Sequence, residues 1–261
     1  MRLPRVLAWV WLISWFGGSA LHSLLFDSPP FSIQNSLAPP KFPSLLLGAD
    51  TYGRDLLPLL SGAAFLSFSF AVCCVGTSVL IAMTLAGLAP NLPRSGERLM
   101  ETTLHFLLGF PSILFALMIG GFLGPGRLTV AIALVLGSAP GLTRALWTRA
   151  REISAQEFVW AARSLGASPI RMAVRHYFPF LISITRVKLP SMLAHALLAE
   201  TSLSFMGLGF PVGEESWGSL LAQAKDYLIE APHISISVGA PLVLSLLALD
   251  FVSKSSSDKL M

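Results

Sequence analysis

The sequence predicts an all-α integral membrane protein with about six transmembrane helices and a helix in its longest cytoplasmic loop. Two observations predict the membrane bundle, and a third places the loop helix. Apolar residues make up 54% of the 261 residues and charged ones only 12%, with a mean hydropathy of +0.70; that leaves too little polar surface to coat a soluble domain of this size. Six predominantly apolar windows are long enough to cross a hydrocarbon core about 30 Å thick, which takes about 20 residues. Lysine and arginine gather on one set of alternate loops, the longest of which has helical periodicity.

The windows are Val6–Phe26, Leu56–Ala89, Leu99–Leu123, Leu128–Trp147, Phe180–Met206 and His233–Val252. The first sits where a signal peptide would, but it carries three tryptophans and no small-residue cleavage site before Asp27, so it reads as a span. The second can tilt or begin as an interfacial helix, and the fourth is short and runs into arginines. Alternate loops place Lys41, Arg54, Arg127 and Lys225 on one side. The other fourteen of the 18 basic residues, Arg186 and Lys188 among them, fall on the opposite side. The positive-inside rule makes that second side cytoplasmic, with both termini there. The same asymmetry accounts for the net charge of +4 without any nucleic acid.

The layout is then an N-terminal cytoplasmic end and first span (1–27), an external loop (28–55) and a transmembrane core (56–253), followed by a cytoplasmic tail (254–261). The core contains a cytoplasmic loop at 150–179 and an external segment at 207–232.

Within the cytoplasmic loop, Ser154 followed by Glu157 has capping-box spacing, and Phe158, Ala161, Ala162 and Leu165 recur at helical spacing before Gly166, which supplies a left-handed stop. Ser168 and Pro169 start a second helix, on which Ile170, Val174 and Tyr177 share a face. The loop is predicted to fold as helix, tight turn, helix. Periodicity leaves two readings open. Ala161 and Ala162 let another protein approach the backbone closely, or the basic segment rests on anionic headgroups.

Catalytic signatures are missing from the sequence. It holds no G-x-x-x-x-G-K-[ST], G-x-S-x-G or H-E-x-x-H, and no spacing joins the histidines into a metal site, so neither an enzyme nor a resident cofactor is expected. Cys73 and Cys74, adjacent in an apolar run, read as buried thiols. Glu200, near the outer end of span five, would cost about 2.5–3.5 kcal/mol at the bilayer centre; it is read as facing the bundle and hydrogen-bonding a neighbouring span. His105 and His195 read as satisfied core or interfacial residues, and Asp250 as an anchor that reaches the interface. Asp50, Gly53, Arg54 and Asp55 form a turn with cap chemistry before span two. After span five, Gly207 and Gly209 break the helix. Trp217, Leu220, Leu221, Ala224 and Leu228 then make the apolar stripe of an interfacial or re-entrant helix, with Trp217 as a membrane anchor the plainer alternative.

The loop order A-A-x-x-x-G, with Ala161, Ala162 and Gly166 followed by Pro179, resembles the "EAA" loop of ABC-importer membrane subunits. LAPPKFPSLLLGADTYGRDLL (37–57), ETSLSFMGLGFPVGEESWGSLLAQAKDYL (200–228) and LALDFVSKSSSDKL (247–260) are similar, in order, to stretches of the C-type dipeptide, oligopeptide and nickel permeases. The resemblance implies a type I ABC importer permease fold in a bacterial inner membrane. The chain would form half of a translocation path for peptides, with nickel or metal chelates as an alternative cargo and an ion-coupled secondary transporter as the rival mechanism.

The implied partners are a second, homologous permease, two ATPase subunits that bind ATP and Mg, a periplasmic or lipid-anchored substrate-binding protein, and membrane lipid. By the same resemblance, Glu157, Phe158, Trp160, Ala161, Ala162, Leu165 and Gly166 couple to the ATPase. Asp50, Gly53, Arg54, Asp55, Trp217 and Gly218 lie on the binding-protein side. Trp160 stands where the loop motif usually has glutamate, and Ser253 and Lys254 replace its closing Gly-Asp pair.

Overall fold

The computed structural model describes residues 2–25, 29–211 and 213–257. The expected end of the first span at Phe26, the position of Asp27 and the tail residue Lys259 lie outside them. The helices run α1 (Arg2–Leu25), α2 (Leu56–Leu88), α3 (Arg94–Gly109), α4 (Ser112–Leu123), α5 (Arg127–Ser154), α6 (Glu157–Ser164), α7 (Pro169–Met172), α8 (Phe178–Phe205), α9 (Trp217–Ala224) and α10 (Pro232–Ser257). Five segments are long and apolar enough to cross a membrane, and the bent pair α3–α4, taken as one broken span, makes six.

The longest helix, α2, shows how the bundle closes. Asp55 caps it by accepting from the Leu57 amide at 3.0 Å. Ala63, Ser67 and Ala71, then Ser78, Ala82 and Ala86, recur every fourth residue as buried small side chains. In a bilayer, where apolar burial drives helix association weakly, such small ridges let neighbouring backbones approach and dispersion do the work. Parallel to α2 runs α5, joined to it by the Ser78–Ser138 hydroxyl pair at 2.7 Å. One core gathers α1, α2, α5, α8, α9 and α10 around Leu60, Leu197 and Trp217. A second, of Ala82, Ala86, Leu146, Ile153, Val159, Met172 and Tyr177, holds the end of the bundle that carries α6.

Several expectations are corrected. The third window is not one helix: α3 and α4 meet at 88°. Pro111 clashes with a helical conformation of its predecessor, so Phe110 turns extended at ψ 127° and the ladder breaks. Composition could not show this, because the residues stay apolar on both sides of the break. The fourth span extends to Ser154, which makes Ser154 the last residue of α5 rather than a cap; its hydroxyl bonds back to the Arg151 carbonyl at 2.7 Å. Gln156 precedes α6 with no side-chain cap.

The second loop helix is continuous with span five, over Pro169–Phe205, through a π turn at Ala173–Tyr177 in which the Phe178 amide reaches Ala173. Such a wide turn adjoins Pro179, which has no amide to donate. The extra residue rotates the faces apart, so Tyr177 is fully buried while Ile170 and Val174 are exposed. Cys74 is buried, but Cys73 is exposed.

Candidate functional site

Three places gather the residues singled out by the sequence. At the arginine-rich end, α6 is fastened by one side and bare on the other. Val159 is fully buried in the second core, with Ala162 and Ala167 packed beside it. Phe158, Trp160, Ala161 and Leu165 face outward, Trp160 62% and Leu165 89% exposed, and Glu157 is exposed in the first turn. The expected apolar stripe is therefore largely the outer face, and of the two alanines only Ala161 is open to an approaching surface.

The helix stop is a Schellman motif. The Ala167 amide bonds to the Ala162 carbonyl at 3.2 Å and the Gly166 amide to Arg163 at 2.9 Å, with Gly166 at φ +82°. The alanine–glycine spacing thus fixes a sharp, preorganised corner. Ser168 then caps α7, accepting from the Arg171 amide at 3.3 Å. Arg163 reaches the Tyr177 hydroxyl at 3.3 Å and bridges the two arms.

The opposite end is a clasp whose groups are mostly buried. Asp50 accepts from the Tyr52 and Arg54 amides through one oxygen and from Arg54 Nε at 2.7 Å through the other. Arg54 also reaches Glu215 at 3.1 Å, and Gln223 and Ser219 donate to the same carboxylate. Burial alone would depress the Arg54 guanidinium, but the hydrogen bonds and charges of Asp50 and Glu215 outweigh it and push its pKa up. Gly53, at φ +74°, has no room for a Cβ against the Ser32 carbonyl. The neighbouring Glu214 pairs with Arg127 at 2.6 Å, so adjacent carboxylates tie one loop to the starts of α2 and α5.

Trp217 and Gly218 are buried rather than presented outward, which also removes the membrane-anchor reading of Trp217. Trp217 donates its ring N–H to the Val238 carbonyl at 2.9 Å and its amide to Ser67 at 3.0 Å. A Cβ on Gly218 would strike the Thr201 carbonyl. Glu200 completes this node. Fully buried, it accepts from Ser204 at 2.8 Å and from Thr201 at 3.5 Å, with the Ser67 side chain of α2 and that of Ser216, the residue before α9, close by. Leu228, which ends the expected stripe, is exposed beyond α9.

Between these ends, α4, α5 and α8 line an open cavity of about 590 Å³. Apolar side chains line most of it, but one face of α8 contributes Lys188, Ser191, His195 and Ser202. Sequence reasoning missed this stripe. It counted Lys188 with the cytoplasmic loop charges although Lys188 falls inside the Phe180–Met206 window, and it read His195 as a satisfied core or interfacial residue; both are exposed along the wall.

Residues 78–260 match the family described as "Binding-protein-dependent transport system inner membrane component". The chain belongs to that family. A peptide transport system permease of Brucella suis biovar 1 is 33% identical over 82% of this chain and 72% of its own length. The di/tripeptide transport system permease protein DppC of Pseudomonas aeruginosa is 32% identical over 82% and 71%, and the glutathione transport system permease protein GsiD of Pectobacterium atrosepticum 27% over 82% and 71%.

This inner membrane component is thus a multi-pass transport permease that works with a binding protein and an ATPase as part of an ABC system. Its family match spans α6, the cavity wall and the Glu200 node, and leaves Asp50 to Asp55 outside.

Proposed function

We propose that this permease subunit forms half of the translocation path of a peptide importer, paired with a second, homologous permease. Two ATPase subunits carry the ATP and Mg, and a periplasmic or lipid-anchored protein delivers the peptide. Its relatives' names support peptides as cargo, and the uneven distribution of lysine and arginine supports an orientation with α6 and both termini in the cytoplasm.

The observation that carries this reading is the outer face of α6. Phe158, Trp160, Ala161 and Leu165 stand exposed on a helix whose inner face is locked by Val159. An apolar patch held rigidly beside Arg163, Arg171 and Arg175 has the character of a protein-docking surface. Since α6 follows α5 after a two-residue link and turns at Gly166 into the continuous α7–α8 rod, a displacement of α6 is passed to both walls of the cavity. Trp160 supplies an apolar plug in place of a carboxylate contact.

The test is ATP-dependent uptake of a dipeptide by proteoliposomes holding the assembled importer. Ala161→Arg abolishes uptake while membrane insertion and the amount of folded chain stay at wild-type levels. Unimpaired uptake by that variant would overturn the assignment.

A further inference from the structure

The α8 stripe has a chemistry that packing does not explain. Lys188 lies ten residues into α8, about 15 Å along the axis at 1.5 Å per residue. A lysine at the centre of a span costs about 2.5–3.5 kcal/mol by insertion scales unless it meets water or a counter-charge. Among the described residues Lys188 forms no ion pair. It faces the cavity instead, one turn below Ser191 and two below His195. The His195 Nδ1 donates to the Ser191 carbonyl at 2.7 Å, which fixes the ring and directs Nε2 to other partners. A permanent carboxylate partner would hold the cavity shut, whereas an exposed ammonium ion on the cavity wall with no ion-pair partner among the described residues can take an anion transiently.

We propose that the Lys188–Ser191–His195 stripe is a carboxylate-reading site on the translocation wall, taking the C-terminal carboxylate of a passing peptide at Lys188. Ser191 adds a hydroxyl donor beside it. The imidazole, about 10 Å further along the helix axis, lies at the span of about three extended residues, where a peptide N–H can meet it. The inference rests on the peptide-permease reading and adds to it where the cargo's negative end is held.

The test uses the assembled importer in proteoliposomes, with Cys73→Ser and Cys74→Ala as background and Ser191→Cys as reporter. The ratio of modification rates by an anionic and a cationic methanethiosulfonate is measured with Lys188, with Lys188→Gln and with Lys188→Arg. Lys188→Gln lowers the anionic-to-cationic ratio about tenfold, the order expected for one unit charge at close range, and Lys188→Arg preserves it. In the natural cysteine background, trialanine uptake falls about tenfold in Lys188→Gln and is restored by Lys188→Arg, again the effect of one charge.

A ratio indifferent to residue 188 means that the ammonium group reaches lipid headgroups, and it overturns the proposal. So does trialanine uptake unaffected by Lys188→Gln, or sensitivity confined to peptides with acidic side chains. Failure of the unsubstituted importer to accumulate any peptide strikes instead at the permease reading, which the reagent ratio does not depend on.

Discussion

The two ends of the bundle use similar residues for opposite purposes. At the end opposite α6, Asp50, Arg54, Trp217, Gly218 and Glu200 are turned inward: Asp50 pairs with Arg54, Trp217 bonds to Val238 and Ser67, and Glu200 accepts from Ser204. At the α6 end, Phe158, Trp160 and Leu165 are turned outward, while Val159 and Ala162 hold the helix to the second core and Arg163 ties it to Tyr177. Motif residues can therefore be conspicuous in sequence either because they hold the fold or because they meet a partner. Burial separates the two cases: changes in the clasp act through stability, and changes on the outer face of α6 act through association.

The largest expected effect breaks the clasp. Arg54→Met leaves Asp50 and Glu215 without their cation, and losing one partner of a buried pair costs about 3–5 kcal/mol. Thermal unfolding of the detergent-extracted chain should show it as a sharply lowered midpoint. Gly218→Val drives side-chain atoms into the Thr201 carbonyl, an overpacking penalty of roughly 1–3 kcal/mol seen in the same assay. Gly166→Ala is milder. Nothing crowds a Cβ there, so the penalty is the backbone's, about 1 kcal/mol at φ +82°. Its readout is faster hydrogen exchange at the Gly166 and Ala167 amides, which close the corner.

Smallest on the stability axis is Trp160→Ala, within about 0.5 kcal/mol for an exposed side chain that holds nothing in place. It sharpens the comparison, since the same variant should retain less ATPase subunit on co-purification. A clasp variant that folds should retain it normally.

The contrast also marks what the sequence made legible. Apolar windows located the spans because a bilayer demands length and apolarity, and Gly166 and Ser168 were legible because caps are local. Which face of α6 points inward was not. Val159 and Leu165 are both apolar, and only the neighbouring Ile153 and Tyr177 decide between them. The Arg54–Glu215 pair spans 161 positions, beyond any local spacing rule. The cavity stripe escaped notice because Lys188 was counted with the loop charges, while the helix that carries it runs on through Phe205. At Phe110–Pro111 a bend signal was present, but apolarity on both sides concealed it.

The most direct measurement of the central claim places a photo-crosslinking residue at Trp160 or Leu165 of the assembled importer and identifies what it captures. A covalent adduct with the ATPase subunit is expected from both positions, reduced by Ala161→Arg. Adducts with lipid alone, or labelling of those positions by a membrane-impermeant reagent applied outside intact cells, would contradict it.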